Sequence, residues 1–168
     1  LSDTYSDLVG EGIDMAIRII RPVDSSLIAR KISENPVAFY ASRAYLKKHG
    51  APKTPAALKD HPVLYIPVHA NLRFRKCGKT VAEVAGHSRL HSISGDVMVA
   101  MAAQGAGILV RSTWGCEAEV AAGELVQIDL NDPLISTAAI YATYPPNRYL
   151  PRRVRLWIDH LAAGFRLS

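Results

Sequence analysis

Cysteine is scarce in this chain, and its scarcity excludes two classes of small protein. The 168 residues contain only Cys77 and Cys116, too few for a disulfide framework, and no residues near them have the paired spacing of a zinc site. We therefore expect two inert, reduced thiols in a cytoplasmic protein.

Long apolar runs are also missing. No segment approaches the roughly 18 consecutive apolar residues that a membrane span requires. The segment VMVAMAAQGAGILV is too short and is interrupted by glycine. The sequence therefore predicts a soluble chain without membrane contact.

The sequence carries none of the short motifs that identify common enzyme classes. G-x-S-x-G, Walker and H-E-x-x-H patterns are absent, and QGAG at 104–107 follows a predicted helix instead of opening one. His87 and His91 have no carboxylate or cysteine beside them at metal-ligand spacing. The sequence does not exclude a Ser/His/Asp site assembled in three dimensions, but no feature of it specifically indicates one. We predict a non-enzyme without a cofactor, metal ion or catalytic residue.

The composition is that of a globular domain with a modest basic excess. Hydrophobic residues make up 49% of the chain, charged residues 21%, and the net charge is +5. One basic cluster, Arg73–Lys79, alternates as an exposed hairpin would. The other comprises Arg148, Arg152, Arg153 and Arg155, on a predicted C-terminal helix. That helix has an apolar stripe formed by Leu150, Val154, Trp157, Ile158 and Leu161. The arginines fall largely off the stripe, so both clusters are interpreted as solvated faces.

Short strands alternate with short helices along the chain. Strands are predicted for IDMAIRII, LIARKI, PVAFYA, VLYI, RLHSIS, ILVRS, ELVQIDL and TAAIYATYP, with a hairpin at NLRFRKCGKTVAEVAG. Ser42 is expected to cap the helix RAYLKKHG, and Gly105 and Gly107 to close the helix in which Val97, Ala100, Met101 and Gln104 recur. This alternation favours an α/β architecture with largely parallel strands.

Several segments, taken in order, resemble one protein family. They are DLVGEGIDMAIRI, SSLIARKI, ASRAYLKKHGAPKTPAALKDHPVL, VMVAMAAQGAGI, VAAGELVQI and YATYPPNRYLPRRVRLWIDHLA. Their order and spacing resemble the effector-binding, substrate-binding-like domain of LysR-type transcriptional regulators over nearly the whole chain. The opening LSDTYSDL has no initiator methionine, so we expect an N-terminally truncated domain.

The resemblance implies an α/β, two-lobed fold like the type 2 periplasmic binding proteins, with a cleft between the lobes. Lobe I would comprise 1–33 and 144–168, its first strand and helix lying upstream, and lobe II would comprise 34–143. A small-molecule effector would bind in the cleft of a homodimer or homotetramer. DNA would be bound only through a missing N-terminal winged helix-turn-helix. A solute-binding protein of a transport system, which shares this fold, is the alternative.

The predicted effector-binding residues lie at strand ends, because ligands of open α/β sheets bind beyond the carboxyl ends of strands. The candidates are Ser2, Arg18, Ile66, Pro67, Val68, Ser94, Arg111 and Ser112. Arg18 has a competing interpretation as a structural arginine paired with Asp14 or Glu11. Ser42 is excluded, since it is expected only to cap a helix.

Arg111 is the most specific of these candidates. The family usually has an apolar residue and a proline where Arg111 and Ser112 stand, and it favours asparagine at Ser94 and tryptophan at Leu72. If the guanidinium faces the ligand, an anionic effector such as a small aromatic or aliphatic acid is expected. Exposure to solvent or pairing with Asp96 would instead leave the effector's charge open.

Overall fold

The computed structural model of the chain describes residues 8, 10, 12–20, 27–69, 71–76, 79–85, 90–132, 134–135, 138–146 and 150–165. Its contacts divide the chain into two compact units, one formed by Leu1–Asn35 with Ala138–Ser168 and the other by Pro36–Thr137. None of the helices in the described ranges has the length and apolar character that crossing a membrane would need.

The secondary structure follows the predicted alternation closely. The strands are β1 Ala16–Ile20, β2 Ile28–Glu34, β3 Val37–Ser42, β4 Val63–Tyr65, β5 Asn71–Lys76, β6 Lys79–Ala85, β7 Leu90–His91, β8 Ile108–Ser112, β9 Leu125–Ile128, β10 Leu134–Ile135 and β11 Ala139–Tyr144. The α-helices are α1 Arg43–His49, α2 Gly95–Ala103, α3 Glu117–Ala121 and α4 Arg152–Gly164. Short 3-10 helices cover Pro55–Asp60, Pro67–His69 and Thr113–Gly115. The short strand β10, which pairs with β5, is an element that the sequence analysis did not predict.

The first unit is a three-stranded antiparallel sheet in the order β1-β11-β2, covered by α4. Helix α4 buries Val154, Ile158 and Ala162 at the i, i+4, i+8 spacing of one helix face. Trp157 was expected on that face. This prediction is wrong, because Trp157 is 59% exposed. It lies about 100° around the helix from Ile158, so it falls outside the narrow buried stripe.

Two ion pairs anchor α4 to the rest of its unit. Arg30 on β2 contacts Asp159 at 2.7 Å, and Arg153 contacts Asp14, just before β1, at 3.1 Å. All four side chains are largely exposed, so each pair contributes about 0–1 kcal/mol. The described arginines of this helix, 152, 153 and 155, are exposed as expected.

The second unit contains a five-stranded sheet in the order β7-β4-β8-β3-β9 and a smaller sheet in the order β10-β5-β6. Strand β4 runs parallel to both of its neighbours, β7 and β8, whereas β3 is antiparallel to β8 and β9. The expectation of largely parallel strands is therefore wrong for the described pairings. Strand direction is fixed by long-range partners, which local periodicity does not encode.

The five-stranded sheet is buried on both faces. Phe39, Val63 and Val110 pack on the side of α1 and β5, whereas Tyr40, Leu64 and Leu109 pack on the side of α2. Successive residues of each strand thus enter different cores. This two-sided burial explains why the strands are continuous apolar runs instead of alternating patterns.

Helix α2 ends as the sequence predicted. Gly105 adopts a φ of 81°, and the N–H groups of Gly105 and Ala106 donate to the carbonyls of Ala102 and Met101. This is the pattern of a glycine-terminated helix, in which the left-handed residue lets the chain turn back. Residues 104–107 therefore close α2 and lead into β8, as expected, instead of opening a helix.

The buried face of α2 is not the set whose spacing predicted the helix. Val97, Ala100 and Gln104 are exposed. The buried residues are Gly95, Met98, Val99 and Ala102. Because apolar residues occur all round this helix, spacing alone could not select the buried face.

Helix α1 begins as expected, because the Oγ of Ser42 accepts a hydrogen bond from the N–H of Tyr45. The buried ring of Tyr45 stacks on His49 with a centroid distance of 4.6 Å, and its Oη lies 2.8 Å from Nδ1 of His61. Burial lowers the pKa of His61, and so does the charge of His49, whereas Asp60 acts in the opposite direction. The native contacts therefore favour neutral His61.

We expect His61 to make the free energy of unfolding depend on pH. Because its pKa is lowered below 6.5 by folding, the unfolded chain takes up a proton first, and stability should fall as the pH drops below about 6.5. Urea unfolding followed by circular dichroism at pH 7.5 and 5 should show a larger loss for the wild type than for His61→Asn. Tyr45→Phe, which removes the hydroxyl but keeps the ring, should give an intermediate loss. Equal losses in all three proteins would contradict this role.

Gly107 is placed where a side chain would disturb the start of two strands. A Cβ there would overlap the carbonyl of Pro62, which accepts a hydrogen bond from the N–H of Ile108 at 2.8 Å. We expect Gly107→Ala to lower the free energy of unfolding by about 1–3 kcal/mol, the usual cost of overpacking. The matched control is Gly164→Ala, because nothing lies within 4 Å of a Cβ at Gly164. If both variants retain wild-type stability in urea unfolding, the Gly107 contact is not a constraint.

Candidate functional site

Three neighbouring strands of the five-stranded sheet point their carboxyl ends at one edge. Strands β7, β4 and β8 are adjacent and parallel, so the residues that follow them converge there. Ile66 follows β4, Ser94 follows β7, and Arg111 is the penultimate residue of β8. This edge of the sheet is the candidate effector site.

Arg111 packs between two glycines at this edge. A Cβ on Gly95, the first residue of α2, would overlap the guanidinium, and a Cβ on Gly115 would lie 2.7 Å from Nε of Arg111. The guanidinium therefore lies directly on the backbone at the start of α2, and the stem of the side chain lies on the 3-10 helix Thr113–Gly115. The arginine fits here because Gly95 and Gly115 have no side chains.

The charge of Arg111 is only partly compensated. Its side chain is 13% exposed, and its Nη2 lies 3.5 Å from Oδ1 of Asp96, whose side chain is 98% exposed. Among the described residues, none accepts a hydrogen bond from the buried Nε of Arg111. A charge-assisted hydrogen bond is normally about 2.7–2.9 Å long, so the contact with Asp96 is a loose one.

Ser94 belongs to the same corner of the site. Its Oγ accepts a weak hydrogen bond of 3.5 Å from the N–H of Val97 and so caps α2, while its own N–H donates to Oγ of Ser92 at 3.0 Å. Capping satisfies one of the N–H groups that a helix start leaves without partners. Ser94 is thus adjacent in sequence to the glycine on which Arg111 packs.

The side chain of Ser112 does not point to the same face of β8 as that of Arg111. Residues of β8 alternate between the two cores, with Leu109 on the α2 side and Ile108 and Val110 on the opposite side. Arg111 follows the parity of Leu109, so the buried side chain of Ser112 points to the opposite face. Arg111 and Ser112, both predicted as effector-binding residues, therefore lie on opposite faces of β8.

Cys116 lies near Arg111, in the core on the α2 side of the sheet. It is a free, fully buried cysteine. Burial raises the pKa of its thiol to about 12, although the nearby charge of Arg111 acts to lower it. Because the thiolate is the reactive form, burial and the raised pKa both favour the unreactive thiol of Cys116 in the native state. Cys77 lies outside the described residues.

The end of β4 supplies the apolar part of the site. Ile66 is half-buried against the core that contains Leu64 and Met98. Pro67 is exposed and opens the 3-10 helix Pro67–His69, which also contains Val68. Ser2 lies outside the described residues, so its predicted position is neither supported nor opposed.

Arg18 belongs to the other unit. It is the third of the five residues of β1, not near the strand's carboxyl end as expected, and it pairs in register with Tyr141 on β11. Its side chain is half-buried. Asp14, one of the two acids that the sequence offered to Arg18, is held by Arg153 through contacts of 3.1–3.2 Å. Glu11, the other acid, lies outside the described residues.

The two glycines that accommodate Arg111 were not predicted from the sequence as part of the site. Gly95 stands directly after a helix-capping serine, and Gly115 is the last residue of a one-turn helix, where no glycine is required by backbone conformation. A glycine at a helix start without a conformational reason is a signal of close packing. Its partner, Arg111, is 16 residues away and could not be identified from the sequence.

In the part of the chain that the structure describes, no group of three or more His, Cys, Asp or Glu side chains could hold a metal ion. His91 stacks on Tyr65 at a centroid distance of 6.1 Å, and His87 lies outside the described residues.

Known proteins resemble this chain over nearly its whole length. The HTH-type transcriptional regulator DmlR of Escherichia coli K12 is 31% identical over 98% of this chain and 54% of its own length. The HTH-type transcriptional activator TtdR of the same organism is 30% identical over 97% of this chain and 53% of its own length. The chain therefore spans about half the length of the curated relatives it matches.

Solved structures give the same result. The full-length Vibrio cholerae virulence activator AphB, a member of the LTTR family, matches 98% of this chain and 56% of its own at a TM-score of 0.74 and 27% identity. The regulatory domain of AphB from Vibrio vulnificus matches 91% of this chain and 76% of its own at a TM-score of 0.69 and 29% identity. These likenesses confirm the predicted α/β, periplasmic-binding-protein-like fold class. The family model described as the LysR substrate binding domain matches residues 1–166, and the chain therefore belongs to this family.

Proposed function

We propose that the chain is the effector-sensing domain of a transcriptional regulator. The match of the family over residues 1–166 carries this proposal. A small molecule would bind one of two conformations of the domain more tightly, and this differential affinity would bias the DNA-binding parts of the whole protein. DNA would be contacted by a winged helix-turn-helix outside this chain, in the cytoplasm.

The alternatives that the sequence left open gain no support. A solute-binding protein of a transport system shares the fold, but the named relatives are HTH-type transcriptional regulators. They are regulators and not enzymes, which also favours a domain without catalysis over an assembled Ser/His/Asp site.

For the effector itself, we propose a small aromatic or aliphatic acid that binds Arg111. The supporting observation is the guanidinium, which has lost most of its contact with water and whose Nε has no acceptor among the described residues. An unsatisfied donor on a largely buried charge is costly, and a carboxylate is its natural partner. The backbone at the start of α2 favours negative charge as well. Ser94 and Ile66 would add a neutral hydrogen bond and an apolar surface.

Arg111→Leu should weaken the binding of an acidic ligand by about 1.5–3 kcal/mol, the scale of a hydrogen bond to a charged group. Titration calorimetry with benzoate measures this directly, and benzamide, which is neutral, should bind both proteins alike. The matched control is Arg155→Leu, which removes an exposed arginine of α4. Circular dichroism checks that the variants remain folded. Equal benzoate affinity in the wild type and Arg111→Leu would contradict an anionic effector.

We also propose that the chain forms a homodimer, alone or within a homotetramer, through the exposed apolar residues beside the edge strand β7. Ile93 is 66% exposed and Val97 is 49% exposed, and they lie in the loop after β7 and in the first turn of α2. An edge strand followed by exposed apolar side chains is typical of a surface that pairs with another chain. A second copy of the chain is the proposed partner.

Sedimentation velocity at micromolar concentration should show a dimer. Replacing both Ile93 and Val97 with serine should raise the dissociation constant by about tenfold or more, since each loses the transfer free energy of several methyl or methylene groups. Val120→Ser, which changes an exposed apolar residue of α3, should leave the dimer intact. A strictly monomeric wild type would contradict the proposal, and an unaffected double variant would place the interface elsewhere.

A further inference from the structure

The interaction between Arg111 and Asp96 has the features of an exchangeable contact. Nη2 of the guanidinium lies 3.5 Å from Oδ1 of Asp96, and the side chain of Asp96 is 98% exposed. A largely solvated carboxylate keeps its water and loses little when it leaves its partner. Arg111 is in the opposite situation, because it is 13% exposed and has exchanged water for the backbone of Gly95 and Gly115.

The geometry of the guanidinium determines what a ligand carboxylate must do. A carboxylate often binds the Nε–Nη2 edge of a guanidinium with two parallel hydrogen bonds, but Nε of Arg111 is buried and packs against Gly115. Among the described residues, no acceptor occupies Nε, and Asp96 is the acid at Nη2. A ligand carboxylate that binds Nη2 therefore competes with Asp96 for that nitrogen.

Displacement leaves Asp96 in a favourable place. It is the second residue of α2, in the first turn, where the N-terminal end of the helix stabilises negative charge. The released carboxylate is also fully hydrated, so neither partner of the original contact is left buried without compensation.

We propose that Asp96 is a built-in competitor for the anion site, and that effector binding exchanges the Arg111–Asp96 contact for an Arg111–ligand contact. This inference rests on the proposed anionic effector and adds its regulation. Asp96 thereby lowers the affinity of the site for any acid. It also means that binding releases a contact between β8 and the start of α2.

The test is benzoate affinity, measured by titration calorimetry on the whole chain. Asp96→Asn removes the competing charge and should bind benzoate about two- to fivefold more tightly than the wild type, the range expected for loss of an exposed ion-pair contact. Glu124→Gln, which removes an exposed acid before β9, should match the wild type. Combining Asp96→Asn with Arg111→Leu should abolish the gain.

Asp96→Ser, a second substitution that suits a helix start, covers the possibility that asparagine destabilises α2. In both variants, salt should weaken benzoate binding more steeply than in the wild type, because the attraction of Arg111 for the anion is no longer offset by Asp96. If Arg111→Leu abolishes benzoate binding while both Asp96 variants bind as the wild type does, the exchange is overturned and the anion site stands. If binding is absent, or equal in Arg111→Leu and the wild type, both the exchange and the anionic effector are overturned.

Discussion

Burial of the five-stranded sheet on both faces is the constraint on which the second unit depends. Ile108, Leu109 and Val110 are fully buried in succession, and they alternate between two separate cores. Such a strand can carry polar groups only where it leaves the cores. Arg111 and Ser112 stand at that point in β8, which is also where a parallel arrangement brings neighbouring strand ends together. The location of the candidate site thus follows from the requirement that the middle of each strand be apolar.

Local signals in the sequence were sufficient for most elements. Ser42, Gly50 and Gly105 mark helix ends through the hydrogen bonds and φ values that serine and glycine supply. Strand positions followed from runs of apolar and β-branched residues. The resemblance of ordered segments then supplied the family, although no single segment was decisive.

What could not be predicted depends on contacts between distant residues. The antiparallel pairing of β3 with β8 joins residues about seventy positions apart. The buried face of α2 was ambiguous because alanine, valine and methionine surround it. Trp157 looked like a core residue by its type, but the sheet of its unit covers only a narrow stripe of α4. The packing of Arg111 on Gly95 and Gly115 needs three segments brought together, and none of them signals the other two.

The contact between Gly107 and Pro62 lies at the opposite end of the sheet from Arg111. It joins the positions at which β4 and β8 begin, and these strands are only three and five residues long. In strands so short, the register of β4 against β8 that is fixed at one end is kept at the other end. The alignment of Ile66 with Arg111 is therefore set by a backbone contact at the far end of both strands. Sequence drift at this remote point would shift Ile66 against Arg111 while every residue at the carboxyl ends of these strands stayed the same.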